Sequence, residues 1–319
     1  MSQPLIIVNP ASASGKTGRR WPKLAPRVLQ ALPGAKIVHT QAKGDGARLA
    51  REAIAEGVAH IVAVGGDGTI HEVVNGLFDE RGRPIAPELT LSPIPMGTGS
   101  DLCRSLGLPR DPEEVVKHLT RPGRPIDAGW VQKADGTGEA FINIASVGLS
   151  GQVAKHFEEH GKGGGLSYLM GIFTASSGYQ NQALRLSLTH ADGRVEHIER
   201  TCYACAVANA RYFGSGMPIA PDAMADDGVF QLVIVGDLSL GEVTRRLPAL
   251  YRGSHLSKPK FESFDVTKVR FEPLGEAPVW VELDGEHSQA LPATFEVRPA
   301  SLKVTASPSS PALTRGAHI

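Results

Sequence analysis

The chain has 319 residues, of which 41% are hydrophobic and 21% are charged. One hydrophobic core rarely organises a chain of this length, so two domains are expected, and the apolar content excludes a disordered or fibrous protein. Lys and Arg together number 33, as do Asp and Glu, so no overall charge draws the protein to nucleic acid or to an anionic membrane. We expect no nucleic-acid partner, and any membrane contact has to be local.

The apolar segments of the sequence are short. Leu5–Val8 and Val229–Val235, which are among the longest, fall far below the roughly 20 residues that a membrane-spanning helix needs. The N-terminus lacks the basic and apolar regions of a secretion signal, and three cysteines without an even framework fit a reducing compartment. The sequence therefore predicts a cytoplasmic protein.

Two of the cysteines, Cys202 and Cys205, form a C-x-x-C pattern. They lie in the strand-like run Thr201–Ala208, where residues three apart are expected to point to opposite faces. No second cysteine pair accompanies them, so we interpret both as structural rather than as metal ligands or a redox pair.

The first 128 residues alternate strand-like and helix-like segments. In chain order they predict strand Leu5–Val8, a helix around Trp21–Leu32, strand Lys36–His39, a helix around Asp45–Glu56, strand Ile61–Val64, a helix after Thr69 and strand Leu89–Ile94. This rhythm indicates a parallel sheet covered by helices, with functional loops at the carboxyl ends of the strands. We therefore expect residues 1–128 to form an α/β domain.

The sequence changes character after Asp127. Short strand-like runs separated by turn signals, from Phe141–Ile144 to Thr294–Arg298, indicate a mostly antiparallel, β-rich second domain over residues 129–295. The end of the chain, residues 307–319, is rich in Ser, Pro and Ala and is predicted to be a disordered tail.

A cluster of glycines interrupts the second domain. Gly161–Gly165 holds four glycines in five residues and predicts a mobile hinge. The apolar side chains of Leu166–Phe173 follow with the spacing of one helical face, which fits either a lid or ordinary core.

The first strand leads into a loop that ends in Gly15-Lys16-Thr17. This ending is similar to a P-loop, but the position of the required first glycine holds Pro10, which has no N–H to offer. A loop that begins at Asn9 and precedes a helix can still present donors to a phosphate, and an ordinary turn fits it equally well.

A second loop, Gly65–Thr69, is more informative. It places three glycines, Asp67 and Thr69 directly after a buried-type strand. Glycines let a backbone approach polyphosphate closely, and Thr69 is expected to cap the next helix, whose N-terminus favours anions. Asp67 would be repelled by phosphate unless Mg2+ lies between them, so the loop indicates a metal-dependent phosphate site.

Two later segments carry acidic residues in a similar setting. Gly97-Thr98-Gly99 precedes Asp101 and a helix, which fits either a tight turn or a second acidic phosphate loop. Asp284-Gly285-Glu286 follows a strand and is first of all a hairpin signal. A carboxylate at this turn could also accept a proton from a hydroxyl group.

Together these motifs resemble the diacylglycerol kinase catalytic family, which includes bacterial lipid kinases, sphingosine kinases and ceramide kinases. The resemblance covers nearly the whole chain and depends on the order Asn9-Pro10, Gly65–Thr69, Gly97-Thr98-Gly99 with Asp101 and Arg104, Phe141-x-Asn143 with Gly148, Ala220-Pro221 with Asp227-Gly228, and Asp284-Gly285-Glu286. The Gly65–Thr69 element alone is shared with NAD kinases, and the later motifs favour lipid kinases.

The resemblance implies an N-terminal α/β domain that holds ATP, a β-rich domain that completes a cleft for the lipid, and a last strand, residues 296–306, that returns to the first domain. It places the nucleotide at Asn9, Thr40, Gly65, Gly66, Asp67, Gly68, Thr69 and Thr98. Asp67 and Asp101 would organise Mg2+ and ATP. Glu286 resembles the general base of the family, although some members use the equivalent of Asp67, so both assignments stay open.

The segment Met224–Val229 is similar to a structural Mg2+ site, in which the carboxylate of Asp227 and the main-chain carbonyls of Met224 and Val229 would be ligands. A solvent-facing Asp-Asp-Gly turn is the alternative. The sequence departs from the commoner family pattern at Ser100, where Asn is usual, and at Cys103, where Ala is usual.

The predicted function is ATP- and Mg2+-dependent phosphorylation of a primary hydroxyl on a membrane lipid, during transient contact with the inner membrane surface. Two alternatives stay open: a soluble phosphotransferase similar to NAD kinases, and a non-catalytic regulator that binds lipid or nucleotide. Diacylglycerol, phosphatidylglycerol, sphingoid bases, ceramide and polyprenols all pair a primary hydroxyl with apolar chains, so the sequence selects none of them. It also specifies no oligomeric state.

Overall fold

The computed structural model describes residues 3–97, 99–160, 174 and 178–314. It divides into two compact units. Unit 1 consists of Met1–Ala128, Met224–Gly228 and Arg298–Ile319, and unit 2 consists of Gly129–Ala223 and Val229–Val297. The predicted hinge, Gly161–Gly165, and the apolar segment Leu166–Phe173 lie outside the described residues.

Unit 1 is built on a parallel sheet. Its strands are β1 (Leu5–Val8), β2 (Lys36–His39), β3 (His60–Gly65) and β4 (Thr90–Pro95), and they lie in the order β4-β3-β1-β2. The end of strand β15 (Ala293–Val304) pairs in parallel with β4 through Lys303 and Val304. The sheet therefore gathers the carboxyl ends of β1 to β4 along one edge.

Helices connect and flank these strands. They are α1 (Lys16–Ala31), α2 (Asp45–Ala55), α3 (Asp67–Asn75), α4 (Asp101–Ser105) and α5 (Pro112–Val115). In α1 the buried side chains of Trp21, Leu24 and Val28 recur at three- and four-residue intervals, so one face packs inward. The residues of β1 are fully buried, as expected for a strand with helices on both faces.

Unit 2 is mainly antiparallel. Its strands are β5 (Arg124–Lys133), β6 (Gly138–Phe141), β7 (Ile144–Gly148), β8 (Gln182–Thr189), β9 (Val195–Ala208), β10 (Phe230–Gly236), β11 (Phe261–Val266), β12 (Lys268–Pro273), β13 (Trp280–Leu283), β14 (Glu286–Ala290) and the first part of β15. The chain crosses between the units within β5 and within β15. Helices α6 (Leu149–His160) and α7 (Leu240–Tyr251) also belong to this unit.

The core of unit 2 contains a group of aromatic rings. Phe141 stacks on Phe230 with ring centroids 5.4 Å apart, and Phe295 meets Phe141 and Phe271 edge to face. All four side chains are fully buried. The predicted fold class, an α/β domain with a parallel sheet and a β-rich second domain, is confirmed.

The structure corrects the prediction of a disordered tail for the part of the tail that it describes. Residues 305–314 belong to unit 1, where Ala312 and Leu313 are buried. The backbone N–H of Ala225 donates to the carbonyl of Ala312 at 2.7 Å. Composition suggested disorder, but two apolar side chains and backbone pairing give this segment enough contacts to be ordered.

The units also divide the chain differently from the predicted boundaries. Met224–Gly228 was expected within residues 129–295, but it belongs to unit 1. Its hydrogen bonds explain why, because Gly228 N donates to the carboxylate of Asp127 at 2.7 Å and the carbonyl of Ala225 accepts from Asp127 N at 2.7 Å.

Within the described part of the chain, no helix is long and apolar enough to cross a membrane.

Candidate active site

The predicted nucleotide residues of unit 1 follow the carboxyl ends of neighbouring strands. Asn9 comes after β1, Thr40 after β2, Gly66 and Asp67 after β3, and Asp101 after β4. Since these strands are parallel and adjacent, the structure brings their following loops to one edge of the sheet.

The turn from β3 into α3 is very tight. A Cβ on Gly65 would lie 2.3 Å from Thr69 Oγ1, so only glycine fits at this position. Helix α3 begins at Asp67, and its preceding residue, Gly66, is extended without a side-chain cap. The expectation that Thr69 caps the helix is therefore wrong, because Thr69 lies within the first turn.

Thr69 instead joins this turn to the loop after β1. Its side chain is buried, and its Oγ1 accepts a hydrogen bond from Asn9 Nδ2 at 3.0 Å. The backbone N–H of Asn9 also donates to the carbonyl of Val64 in β3. Asn9 is thus fixed by two contacts with the strand and helix that flank the Gly65–Thr69 loop.

The loop after β4 touches the loop after β3 directly. A Cβ on Gly97 would lie 2.7 Å from the Cα of Gly66, and Met96 N donates to the carbonyl of Gly65 at 2.8 Å. The carboxylate of Asp67 accepts the backbone N–H of Ser100 at 2.9 Å. Asp67 therefore links the two acidic glycine loops. Thr98 lies outside the described residues.

Asp101 is the first residue of α4 and is buried. Its Oδ1 lies 3.8 Å from the guanidinium Nε of Arg104, a partly exposed ion pair. Cys103 is buried next to these groups. Burial raises the pKa of the Cys103 thiol, and the negative charges of Asp67 and Asp101 raise it further. The two carboxylates and the thiol are therefore close enough to interact electrostatically.

The loop after β1 differs from a P-loop, as the sequence indicates. Three successive residues, Ala13, Ser14 and Gly15, have left-handed backbone angles, and Gly15 precedes α1 without a side-chain cap. Thr40, directly after β2, is buried and its N–H donates to the carbonyl of Val8. The loop after β2 is thereby held against the end of β1.

The predicted hairpin Asp284-Gly285 is present in unit 2, and its carboxylate has a second role. Asp284 and Gly285 both have positive φ, 52° and 91°, which a tight hairpin turn requires. The buried carboxylate of Asp284 accepts the backbone N–H groups of Ile142, Asn143 and Ile144 at 2.8 to 3.1 Å. The turn was predictable from Asp284-Gly285, but no feature of the sequence indicated this contact.

Glu286 is the first residue of β14 and pairs across the hairpin with Leu283. It is only partly exposed. Nearby in the same unit, Asn143 donates from Nδ2 to the carbonyl of Tyr212 and its own carbonyl accepts from Asn209 N. Asp284 thus connects the Phe141-x-Asn143 motif with the hairpin that carries Glu286.

The loop Met224–Gly228 of unit 1 is shaped by Asp127, a residue that sequence analysis did not single out. Asp127 is buried, and its two oxygens accept the N–H groups of Gly228 and Ala300, each at 2.7 Å. Burial raises the pKa of this carboxyl group, although the hydrogen bonds oppose the rise. Gly228 has a φ of 79°, so the turn favours glycine there.

The structure corrects the expected orientation of Cys202 and Cys205. Both side chains belong to the same buried core of unit 2. Strand β9 has one extra residue where Val235 pairs with Ala204 and Gly236 pairs with Cys202, and this β-bulge changes which face the later residues occupy. A hydrogen bond with Cys202 and burial together raise the pKa of the Cys205 thiol.

Comparisons with known proteins place this geometry in a family. Residues 3–131 match the model of the diacylglycerol kinase catalytic domain, and residues 143–306 match the YegS C-terminal NAD kinase beta sandwich-like domain. A protein of Chromohalobacter salexigens named "Probable lipid kinase YegS-like" is 34% identical over 80% of this chain and 75% of its own length.

Two further relatives agree. The diacylglycerol kinase of Bacillus subtilis is 29% identical over 92% of this chain and 93% of its own. The crystal structure of a diacylglycerol kinase from Bacillus anthracis str. Sterne superposes with a TM-score of 0.71 and 26% identity, covering 96% of this chain and 98% of that one. The fold and loops are those of a phosphotransferase with an alcohol acceptor. More particularly, the chain belongs to the YegS-like and diacylglycerol kinase family of lipid kinases.

Proposed function

We propose that the protein transfers the γ-phosphate of Mg2+-bound ATP to a primary hydroxyl of a membrane lipid. The observation that carries the proposal is the hydrogen bond from Ser100 N to Asp67, which joins two acidic glycine loops at the carboxyl edge of the unit 1 sheet. Family membership indicates the reaction class. The glycine loops and carboxylates at this edge of the sheet suit the binding of a polyphosphate with its Mg2+.

The nucleotide would bind along the loops after β1, β2 and β3. The N-terminus of α3 offers backbone N–H groups and a positive partial charge to phosphate, and Gly66 and Gly68 leave the approach open. Asn9 and Thr69 are already held together by a hydrogen bond, so little side-chain freedom would be lost on binding. We assign Thr40, Gly65 and Thr98 to the same site.

Two carboxylates, Asp67 and Asp101, suit the Mg2+ that accompanies ATP. Among the described residues, no group of three or more His, Cys, Asp or Glu side chains is arranged to hold a metal. Mg2+ commonly takes only one or two carboxylates from a protein, and substrate phosphates and water complete its shell. When bound, it would neutralise charge on the transferring phosphate.

The loop Met224–Val229 is our candidate for a second, structural Mg2+ site. Its donors would be the carboxylate of Asp227 and the carbonyls of Met224 and Val229, all of them the hard oxygen ligands that Mg2+ prefers. Asp127 supports the candidate because it fixes the turn through the N–H of Gly228.

The proton of the lipid hydroxyl needs an acceptor, and we assign it to Glu286. Asp67 accepts the N–H of Ser100 within the glycine loops, which suits a role in holding Mg2+ and ATP. Glu286 is a partly exposed carboxylate at a hairpin that Asp284 holds in place. A carboxylate within reach of the hydroxyl would accept its proton as phosphate is transferred. The substrate lies in a membrane, so transient contact with the membrane surface is part of the proposal.

The experiment incubates the protein with radiolabelled ATP, Mg2+ and mixed micelles of diacylglycerol, phosphatidylglycerol, a sphingoid base, ceramide or a polyprenol. We expect one labelled lipid class, and we expect Glu286→Gln to lower kcat by at least about 100-fold, the usual range for a lost acid–base group. We expect Asp67→Asn to lower kcat by a similar factor, because it removes a charge that would hold Mg2+ beside the transferring phosphate. Asn keeps an oxygen that can accept the N–H of Ser100, so this variant tests charge rather than shape.

Glu272→Gln is the matched control, because Glu272 is a carboxylate of unit 2 in an exposed ion pair with Arg270. It should retain normal turnover. Near-normal turnover in both Glu286→Gln and Asp67→Asn would contradict the assignment. Phosphorylation of NAD, or ATP binding without any labelled lipid, would favour a soluble acceptor or a regulatory role instead.

A further inference from the structure

The segment Thr305–Thr314, which we call the C-terminal strap, crosses two loops of unit 1. It leaves the sheet beside β4, where Thr305 N donates to the carbonyl of Leu91 at 3.0 Å. Its side chains Ala312 and Leu313 are buried. The strap therefore packs as part of unit 1, although its composition is that of a tail.

The first contact of the strap is with the C-terminal end of α4. Ser307 N donates to the carbonyl of Leu106 at 2.9 Å, and Ser310 Oγ donates to the carbonyl of Ser105 at 2.8 Å. The backbones are close here, because a Cβ on Gly107 would lie 3.0 Å from the Cα of Ser310. The strap thus supplies partners to carbonyl groups that a helix end leaves without intrahelical bonds.

Helix α4 depends on such contacts. It has five residues, and its preceding residue, Ser100, has a left-handed backbone and makes no side-chain cap. A helix this short is unstable by itself, so tertiary contacts determine whether it forms. Asp101 is its first residue, and Ser100 N donates to Asp67. An altered α4 would therefore displace both acidic loops.

The second contact fastens the strap to the loop Met224–Gly228. The carboxylate of Asp226 accepts the N–H and the hydroxyl of Thr314, both at 2.8 Å. Arg124 Nη2 donates to the carbonyl of Thr314 at 2.5 Å and lies 3.5 Å from Asp226 Oδ2. Ala225 N adds the backbone bond to Ala312 described above.

We propose that the C-terminal strap is a positioning element of the nucleotide site and that Asp226 is the residue that fastens it. The inference rests on the proposed function, since it assigns the strap to the loops that would hold Mg2+ and ATP. Asp226 touches no substrate in this proposal. It acts through the strap, which caps α4 and thereby sets the position of Asp101 relative to Asp67.

The test compares Asp226→Ala with Ser310→Ala, which removes the hydroxyl contact to α4 and a hydrogen bond of 3.4 Å that the same hydroxyl accepts from Ala312 N within the strap. We expect Asp226→Ala to raise the Kd for ATP in the presence of Mg2+ about tenfold, equivalent to about 1.4 kcal/mol. Ser310→Ala should raise it by a smaller factor. The KM for lipid should stay unchanged in both, and hydrogen exchange should accelerate over residues 101–108.

Glu114→Ala is the matched control, because Glu114 is an exposed carboxylate of unit 1 whose ion pair is with Lys117, a residue of its own helical segment. It should leave the Kd for ATP and the exchange unchanged. If Asp226 has a purely structural role, Asp226→Ala should have a lower melting temperature. Its Kd for ATP, measured well below that temperature, should then equal that of the unaltered protein. That result would overturn the proposal.

The same ATP titrations distinguish failure of the strap proposal from failure of the proposed function. If the unaltered protein binds ATP and both strap variants bind it equally well, the strap proposal fails and the proposed function stands. If the unaltered protein binds no nucleotide, both fail. If Asp226→Ala does not fold, Ser310→Ala still tests the strap proposal. Loss of one serine hydroxyl is a small change, and its effects on the Kd for ATP and on hydrogen exchange over residues 101–108 are measurable.

Discussion

At the level of single residues, the carboxylates of this protein hold different parts of the backbone. The carboxylate of Asp67 accepts the backbone N–H of Ser100, whereas that of Asp284 accepts the N–H groups of three successive residues, Ile142, Asn143 and Ile144. When a carboxylate accepts hydrogen bonds from three backbone N–H groups, its oxygens are occupied in holding the backbone. We therefore treat Asp284 as a structural residue of the hairpin and keep Asp67 and Glu286 for the chemistry.

Replacing Asp284 with Asn tests this distinction. The amide oxygen can keep one or two of the N–H bonds, but the amide nitrogen would face the remaining N–H as a second donor. We expect the free energy of unfolding to fall by about 2 kcal/mol, as is typical when a buried charged hydrogen-bond partner is lost. Denaturant unfolding measures it. Asp192→Asn, an exposed turn carboxylate that accepts the N–H of Arg194, should change it by far less.

At the scale of elements, the N-terminus of α7 shows what local sequence can stabilise. Ser239 and Glu242 form a reciprocal capping box, and Lys260 donates to Glu242 at 3.0 Å. Hydrogen bonds from the backbone of Ser239, from Lys260 and from the side chain of Ser239 lower the pKa of Glu242 from 4.5 to about 2. The ionised form of Glu242 therefore stabilises the start of this helix.

The sign of this pKa shift predicts a pH dependence. Because the folded-state pKa is below the unfolded value, the stabilisation is fully present above about pH 4.5 and is lost as the pH falls towards about 2. Glu242→Gln should therefore lower the urea midpoint at pH 7, and its difference from the unaltered protein should shrink as the pH is lowered through this range. A difference that stays constant with pH would contradict the predicted shift.

Strand β9 shows the limit of element-scale prediction. Its composition indicated a strand, and alternation placed Cys202 and Cys205 on opposite faces. The extra residue opposite Val235 and Gly236 changes the alternation, and both thiols enter one core. A bulge of this kind is set by pairing with neighbouring strands, so the sequence of β9 alone could not reveal it.

At the scale of the whole molecule, unit 1 is assembled from three separate parts of the chain. Strand β4 takes a parallel neighbour from the end of β15, and Asp127 accepts N–H groups from Gly228 and Ala300. The first 128 residues therefore hold most of the predicted nucleotide loops but only part of the packing that supports them.

This assembly predicts that a fragment of residues 1–128 does not fold cooperatively. It would expose the β4 edge and leave the buried carboxylate of Asp127 without the N–H groups of Gly228 and Ala300. Thermal unfolding followed by circular dichroism should show no sharp transition. Joining residues 298–319 to the fragment through a flexible linker should restore part of the transition. A sharp transition in the fragment alone would show that the returning segments are dispensable.

Three features were predictable from the amino-acid sequence alone: the parallel sheet, the β-rich second domain and the glycine loops after β1, β3 and β4. These features depend on local patterns, namely apolar strands, helical spacing and glycines where a turn leaves no room for a side chain. The hairpin at Asp284-Gly285 was predictable for the same reason. The motif order was enough to identify the family.

The folded structure was needed to show which distant groups contact each other. The carboxylate of Asp284 accepts N–H groups from residues about 140 positions earlier in the chain. In the same way, Asp67 accepts the N–H of Ser100, and Asp226 accepts the N–H of Thr314. The strap is ordered because its partners come from α4 and the Met224–Gly228 loop, not because of its own composition. Local propensity fixes elements, but contacts between distant segments depend on packing that no single stretch of sequence contains.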